Sequence, residues 1–227
     1  MTAASFRVVF AIYPGMTQLD FTGPHQFLSR APSCEIIVAS ASGGSVPADG
    51  LTFSGTTKLA DIDACDLVCV PGGIVATQVA QDPVFMSELK RLAASATYIT
   101  SVCTGSLILG AAGLLKGKRA ACHWAWRDML PLFGAIPDTA HVVRDGNVIT
   151  GGGVTAGIDF ALTVLSIIAG DKVAQTIQLG LEYAPEPPFN AGRPETAPSD
   201  VLLAYTAAMD KIRERRRVEA EAAAAAM

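Results

Sequence analysis

Residues 6–13 read Phe-Arg-Val-Val-Phe-Ala-Ile-Tyr, a nearly unbroken apolar run closed by Pro14-Gly15. A strand covered on both faces has this profile, and such strands belong to parallel sheets. The same reading makes strands of residues 35–40, of 67–70 ahead of Pro71-Gly72-Gly73, of 98–102 and of 119–122, with helical stretches at 83–94 and 105–115 between them. Strand alternating with helix predicts βαβ crossovers, and so an α/β fold: a doubly wound sandwich around a mostly parallel central sheet. Residues 46–53 and 141–150 read differently. There Arg144-Asp145-Gly146-Asn147 sets an Asp-Gly turn between two β-branched runs, which predicts a β-hairpin on one edge of the sheet.

Beyond Gly151-Gly152-Gly153, residues 155–169 and 171–181 read as two helices punctuated by Gly170-Asp171. The proline-rich stretch 184–194 cannot continue a helix, because proline lacks the N–H donor and clashes with the preceding turn. From Ser199-Asp200 a last helix runs through Arg217 into an alanine-rich tail, where helix propensity competes with fraying. No internal repeat is visible. We therefore read residues 1–198 as one α/β domain and 199–227 as a C-terminal helix and tail.

Composition adds bounds. With 227 residues, 50% hydrophobic and 17% charged, the chain has the balance of one folded globular domain. A net charge of -4 leaves no positive field to hold a phosphate backbone, which argues against nucleic acid as a partner. The one dense basic run, 213–217, reads as a solvated helix face or a dimer contact. The opening stretch, Met1 to Arg7, sets no basic segment ahead of a long apolar one, and no window approaches the roughly 20 apolar residues of a membrane span. The expectation is a soluble, unexported, cytoplasmic protein with no membrane partner. Five cysteines, at 34, 65, 69, 103 and 122, are odd in number and lack zinc-site pairing, so most are expected to be reduced, buried hydrophobes.

Cys103 stands apart from the other four. It follows the strand Ile99-Thr100-Ser101-Val102 and precedes a helix, and a residue at such a junction is thrust out at the carboxyl edge of the sheet, where α/β folds bind ligands. Gly105, two positions on, removes a Cβ where the turn is tightest. The N-terminus of the helix points N–H groups at the sulfur, which predicts a depressed thiol pKa. The alternative is one more core cysteine. Gly73 and its neighbours could present N–H groups to an anion, with the Thr104 N–H completing an oxyanion site, or could be only a turn. Asp20 follows the first strand by a short loop on the same edge, as a reactive carboxyl or as a helix cap. His123 follows the strand after the elbow helix and could approach the sulfur or be structural. The Thr104 hydroxyl could orient water or Asp20, or simply cap the helix. Gly152, within the glycine triplet, could be a hinge for the following helix or could permit close packing.

Taken together, Gln18-Leu19-Asp20-Phe21-Thr22-Gly23-Pro24, Val70-Pro71-Gly72-Gly73, Thr100-Ser101-Val102-Cys103-Thr104-Gly105-Ser106, Cys122-His123-Trp124, Thr150-Gly151-Gly152-Gly153-Val154-Thr155-Ala156-Gly157-Ile158-Asp159 and Leu181-Glu182-Tyr183-Ala184-Pro185 resemble the ThiJ/PfpI superfamily, related to class I glutamine amidotransferases. The similarity spans nearly the whole chain and is greatest toward the isocyanide hydratases of that superfamily. It implies a flavodoxin-like sandwich, a homodimer, Cys103 as nucleophile and Asp20 beside it. Protease-like members carry His after the cysteine, where this chain has Thr104, and many stress proteins and glyoxalases of the group carry Glu where it has Asp20.

The chemistry this implies needs neither metal nor organic cofactor. A soft thiolate attacks the terminal carbon of a small-molecule isocyanide, Asp20 delivers a proton to give a thioimidate and later helps activate water, and collapse releases an N-substituted formamide. Two rivals stand beside it: a non-catalytic ligand or redox sensor of the kind that begins AraC-type regulators, and a glyoxal-type hydratase. The regulators append a DNA-binding helical domain, whereas fewer than 30 residues follow Asp200, too few for paired helix-turn-helix units.

Overall fold

Val8, Val9, Phe10, Ala11 and Ile12 are fully buried, so the first apolar run is indeed covered on both faces. The computed structural model describes residues 5–227; Met1 to Ala4 of the opening stretch lie outside the described residues. In chain order the elements are β1 (Phe6–Ala11), α1 (Gln18–Leu28), β2 (Cys34–Ser40), β3 (Gly44–Ala48), β4 (Leu51–Lys58), β5 (Leu67–Val70), α2 (Ala76–Val79), α3 (Pro83–Ser95), β6 (Tyr98–Val102) and α4 (Gly105–Ala111). There follow β7 (Arg119–Ala120), β8 (Ile136–Pro137), β9 (Val142–Asp145), β10 (Val148–Gly151), α5 (Ala156–Ala169), α6 (Asp171–Gly180) and α7 (Ser199–Ala225).

The central sheet runs β3-β4-β2-β1-β5-β6-β10-β9, with parallel pairing from β4 through β10. From β1 the chain winds outward to β2, then returns to the other side of β1 at β5. That reversal opens a crevice at the carboxyl ends of the strands, where the loops after β1, β5, β6 and β10 meet. Crossovers in opposite directions put helices on opposite faces. On one, α1, α5 and α6 pack together; on the other, α4 packs with α2 and α7.

Both edges of the sheet end in antiparallel hairpins. The predicted one is β9–β10, turning at Gly146 with a φ of +64°. The second is β3–β4, where Asp49 and Gly50 both take positive φ (48° and 78°), as a two-residue hairpin turn requires.

Two expectations need correction. Of the strand read at 119–122 only Arg119 and Ala120 pair, with Ile136 and Pro137 in a separate two-stranded sheet. The place beside β6 belongs to β10, and the Ala121 N–H donates to the Thr150 hydroxyl rather than to a strand. The helix read at 105–115 stops at Ala111, because Gly113 turns the chain at a φ of +78°. No helix among the described residues is long and apolar enough to cross a membrane.

The elbow depends on one missing side chain. A Cβ at Gly105 would lie 2.2 Å from the Val70 carbonyl oxygen and 3.0 Å from that of Pro71, both backbone atoms fixed by the sheet edge. Gly105→Ala is expected to lose more than about 3 kcal/mol in urea denaturation or to yield no folded protein. Gly180→Ala, at a helical position with nothing within 4 Å, is expected to be neutral or stabilising by up to about 1 kcal/mol.

Candidate active site

Cys103 sits where β6 hands over to α4, with a φ of +59°, a left-handed conformation that L residues rarely hold. Its N–H donates to the Gly151 carbonyl of β10 at 3.1 Å, which pins the strained residue to the sheet. The side chain is 5% exposed. Asp20 lies in the first turn of α1, fully buried, rather than in a loop. Its Oδ2 accepts the Gly72 N–H at 3.0 Å, Oδ1 is left without a partner of good geometry, and the Cys103 thiol lies against the carboxyl group.

Gly72 is where these parts converge. A Cβ there would fall 2.5 Å from the Thr104 nitrogen, 2.7 Å from Thr104 Oγ1 and 2.8 Å from Asp20 Oδ2. Gly73 does not play the part read from the sequence: its N–H donates to Thr104 Oγ1 at 2.9 Å, and that hydroxyl donates back to the Gly73 carbonyl at 3.1 Å. The loop after β5 folds onto the elbow and spends its donors there, as buried backbone groups must. The glycines therefore position Asp20 and Thr104, and Gly73 offers no free N–H to a substrate anion. The Thr104 hydroxyl does not cap α4; its backbone N–H faces the sulfur.

Electrostatics correct a second expectation. Burial and then the Asp20 carboxylate push the Cys103 thiol well above its ordinary value, and the Thr104 N–H opposes them without prevailing. Helix α4 spans only seven residues, so its terminal dipole is outweighed by a neighbouring anion in a dry site. Burial likewise raises Asp20 to about 7, against the hydrogen bonds from Cys103 and Gly72. Above about pH 7 the pair holds one negative charge and one proton, and its titration belongs to both groups.

Residues 6–167 match the DJ-1/PfpI family. The chain belongs to that family. Over 199 residues it is 48% identical to an isonitrile hydratase of Pseudomonas putida, covering 87% of each chain. A crystal structure of a ThiJ/PfpI family protein from Pseudomonas syringae superposes with a TM-score of 0.92 at 40% identity, covering 97% of this chain and 90% of that one. The HTH-type transcriptional regulator CdhR of Pseudomonas aeruginosa is 31% identical over 73% of this chain and 51% of its own.

Beside the elbow of this DJ-1/PfpI domain a cavity of about 540 Å³ opens, lined among others by Cys122, His123, Arg127, Gly152 and Gly153. His123 therefore faces the cavity. It makes no hydrogen bond with Cys103, Asp20 or Thr104; its Nδ1 accepts the Ala125 N–H at 3.3 Å, and burial, with Arg216 and Arg127 nearby, lowers it to about 4, so the ring is neutral. None of the three glycines at 151–153 takes a positive φ, and close packing is evident at Gly151, where a Cβ would sit 3.3 Å from that of Phe160. At Gly152 the nearest atom to such a Cβ is the His141 carbonyl oxygen, 3.4 Å away. Among the described residues no three His, Cys, Asp or Glu are grouped to hold a metal.

Two residues near the Cys103–Asp20 pair were missed in the sequence. Tyr13, at the end of the first apolar run, donates its hydroxyl to the Pro71 carbonyl at 2.8 Å. Arg216 is 1% exposed, which corrects the reading of 213–217 as a wholly solvated face. Its neighbours do lie outside: Arg213 and Arg217 both pair with Asp128 at 2.7 Å. Ile212 precedes Arg216, and Ala220 and Ala223 follow it, on the packed stripe at helical spacing, a signal present in the sequence.

Because folding raises the Asp20 pKa from its ordinary 3.8 to about 7, the protonated acid is favoured in the folded state, and stability tied to it is lost as pH rises through that window. Asn keeps an acceptor for Gly72 and carries no charge. Asp20→Asn should match wild type near pH 4 and exceed it at pH 8 by up to about 4 kcal/mol in urea denaturation. Equal stabilities at pH 8 would show that no such burden exists.

Proposed function

We propose that this chain hydrates isocyanides to N-substituted formamides through a covalent thioimidate on Cys103. The observation that carries the reading is the buried Cys103 thiol lying against the buried Asp20 carboxyl group at the strand–helix elbow. The similarity to an isonitrile hydratase supports the choice of substrate class.

The balance of the first step suits that pair. Addition of a thiol across the terminal carbon of R–N≡C forms the C–S bond and places one proton on that carbon, giving R–N=CH–S–Cys103. Asp20 takes the thiol proton as sulfur attacks, then gives it to the carbanion-like carbon, so the pair's charge is unchanged at the end. In the second step water adds to the C=N carbon as Asp20 takes one of its protons and passes it to the nitrogen, giving R–NH–CH(OH)–S–Cys103, whose hydroxyl proton Asp20 then takes. Collapse breaks the C–S bond, returns a proton to sulfur and releases R–NH–CHO. Thr104 Oγ1, held by Gly73, and the Gly72 N–H keep Asp20 and the elbow in register during both steps. The thiol chemistry suits the cytosol, where thiols stay reduced, and the family resemblance implies a homodimer, to be checked by light scattering.

A second reading has one observation behind it, the similarity to a transcriptional regulator. In a sensor the Cys103 site would bind a ligand and not transform it. Purified protein incubated with an aryl isocyanide should release the formamide, Cys103→Ala should not, and rapid quenching should trap one substrate mass on Cys103. Asp20→Asn should lower turnover on the order of 100-fold or more. Below pH 7 both groups are protonated and no base remains, so kcat/KM should fall with an acid limb near 7, where Asp20 titrates. Absence of turnover would move the assignment to the sensor, and faster hydration of methylglyoxal than of isocyanide would move it to the glyoxal class.

A further inference from the structure

Arg216 is a guanidinium taken almost wholly out of water, and nothing of opposite charge is paired with it. Its partners are unusual: Nη2 donates to the Gly73 carbonyl, the guanidinium lies 4.2 Å over the Trp126 ring, and Nε is buried without a hydrogen-bond partner. None of the salt bridges among the described residues includes it. Burial without a carboxylate partner is costly, and a cation retained there is expected to answer a negative charge elsewhere.

The charge it answers is reached along two residues of backbone. The Gly73 carbonyl that takes Nη2 also takes the Thr104 hydroxyl, and the adjoining Gly72 N–H is the donor to Asp20. Titratable groups face this cluster from every neighbouring element: Tyr13 after β1, Asp20 on α1, Asp49 in the β3–β4 turn, Cys69 on β5, Cys103 at the elbow, Cys122 after β7, and Glu219 one turn along α7. Glu219 is engaged with the Thr77 hydroxyl at 2.5 Å and with the Gln78 side chain at 3.2 Å. Arg127, the other nearby cation, faces the cavity beside His123 and Cys122. Burial works against the charge on Arg216, while Cys103, Cys122, Tyr13 and Glu219 favour it.

We propose that Arg216, delivered from α7 more than a hundred residues after the elbow, is a positioning residue for the reaction: it clamps the Gly72–Gly73 segment, whose backbone groups hold Asp20 and Thr104, and its charge favours the anionic state of the Cys103–Asp20 pair. It touches neither the sulfur nor the carboxylate by hydrogen bond. The inference rests on the assignment of that pair as the reacting groups, and not on the identity of the substrate.

The test is therefore run without isocyanide. Cys103 is alkylated with iodoacetamide across pH 5 to 10 and followed by intact mass, in wild type, Arg216→Met, Arg216→Gln and Arg216→Lys, each checked for folding by circular dichroism. Gln keeps a donor for Gly73 but no charge; Lys keeps both. The labelling midpoint is expected to rise by one pH unit or more in the Met and Gln variants, about tenfold slower labelling at pH 7, and to return to within half a unit of wild type with Lys. Should Arg216→Met fail to fold, the Gln and Lys pair decides alone. Folded Gln and Lys variants that share the wild-type midpoint would overturn the proposal and leave Arg216 a packing residue. Arg213→Met, which loosens α7 through its Asp128 and Ala125 contacts, should leave the midpoint in place; a shift equal to that of Arg216→Gln would assign the effect to helix docking and likewise overturn it. Failure of isocyanide turnover with a normal alkylation shift would instead count against the substrate assignment alone.

Discussion

A thiolate and a carboxylate in contact, both shut away from water, cannot both be ionised, and this restriction governs the site. Like charges at hydrogen-bond distance in a medium that screens poorly repel by several kcal/mol. One proton therefore stays with the pair, and in the proposed reaction what matters is where that proton resides. The fold supplies the means of confinement. The switch in strand order beside β1 brings the ends of β1, β5 and β6 to one edge, Cys103 is forced into a left-handed conformation there, and Gly72 lets Thr104 and Asp20 approach from opposite sides to positions that a single methyl group would occupy.

The site gathers residues from position 13 to position 216, with local structure contributing little on its own. Tyr13 braces the Pro71 carbonyl from one side, Arg216 holds the Gly73 carbonyl from the other, and the loop between them presents its N–H groups inward. Such an arrangement depends on the whole domain being folded, because each anchor lies on a different element and none of the hydrogen bonds is short in sequence. Helix α7 belongs to this frame: Arg216, Ala220 and Ala223 are buried along one stripe of it, although most of its surface is solvated.

How much of this was legible in the sequence follows from which forces are local. Unbroken apolar runs announced the parallel strands, the Asp-Gly turn announced one hairpin, and Cys103 with Gly105 announced the elbow, because each is a pattern of a few consecutive residues. The strand at 119–122 was misread since a short apolar stretch, here Ala-Ala-Cys after Arg119, looks the same whether or not a neighbouring strand has room for it. The thiol's ionisation was misread for a related reason: the helix terminus is visible in sequence, whereas the desolvation and the charge of Asp20 that outweigh it exist only after folding. Arg216 was hidden by its company. Arg213, Arg215 and Arg217 do face outward, and only the spacing from Ile212 to Ala220 and Ala223 marks the one arginine that does not.

The loss of the expected anion site fits the proposed chemistry better than its presence would. Acyl transfer builds negative charge on an oxygen, and a site for it must keep N–H donors free and aimed at that oxygen. Attack on an isocyanide builds charge on the carbon that sulfur has just joined, and this carbon is discharged by a proton. A site for that reaction needs a proton held close to the sulfur and little else. Here the donors of Gly72 and Gly73 are turned to Asp20 and Thr104, so the geometry invests in placing the acid and the elbow. A thiol with a raised pKa is no obstacle under these conditions, because its proton has only to cross to the adjoining carboxylate and the buried charge of the pair stays the same throughout.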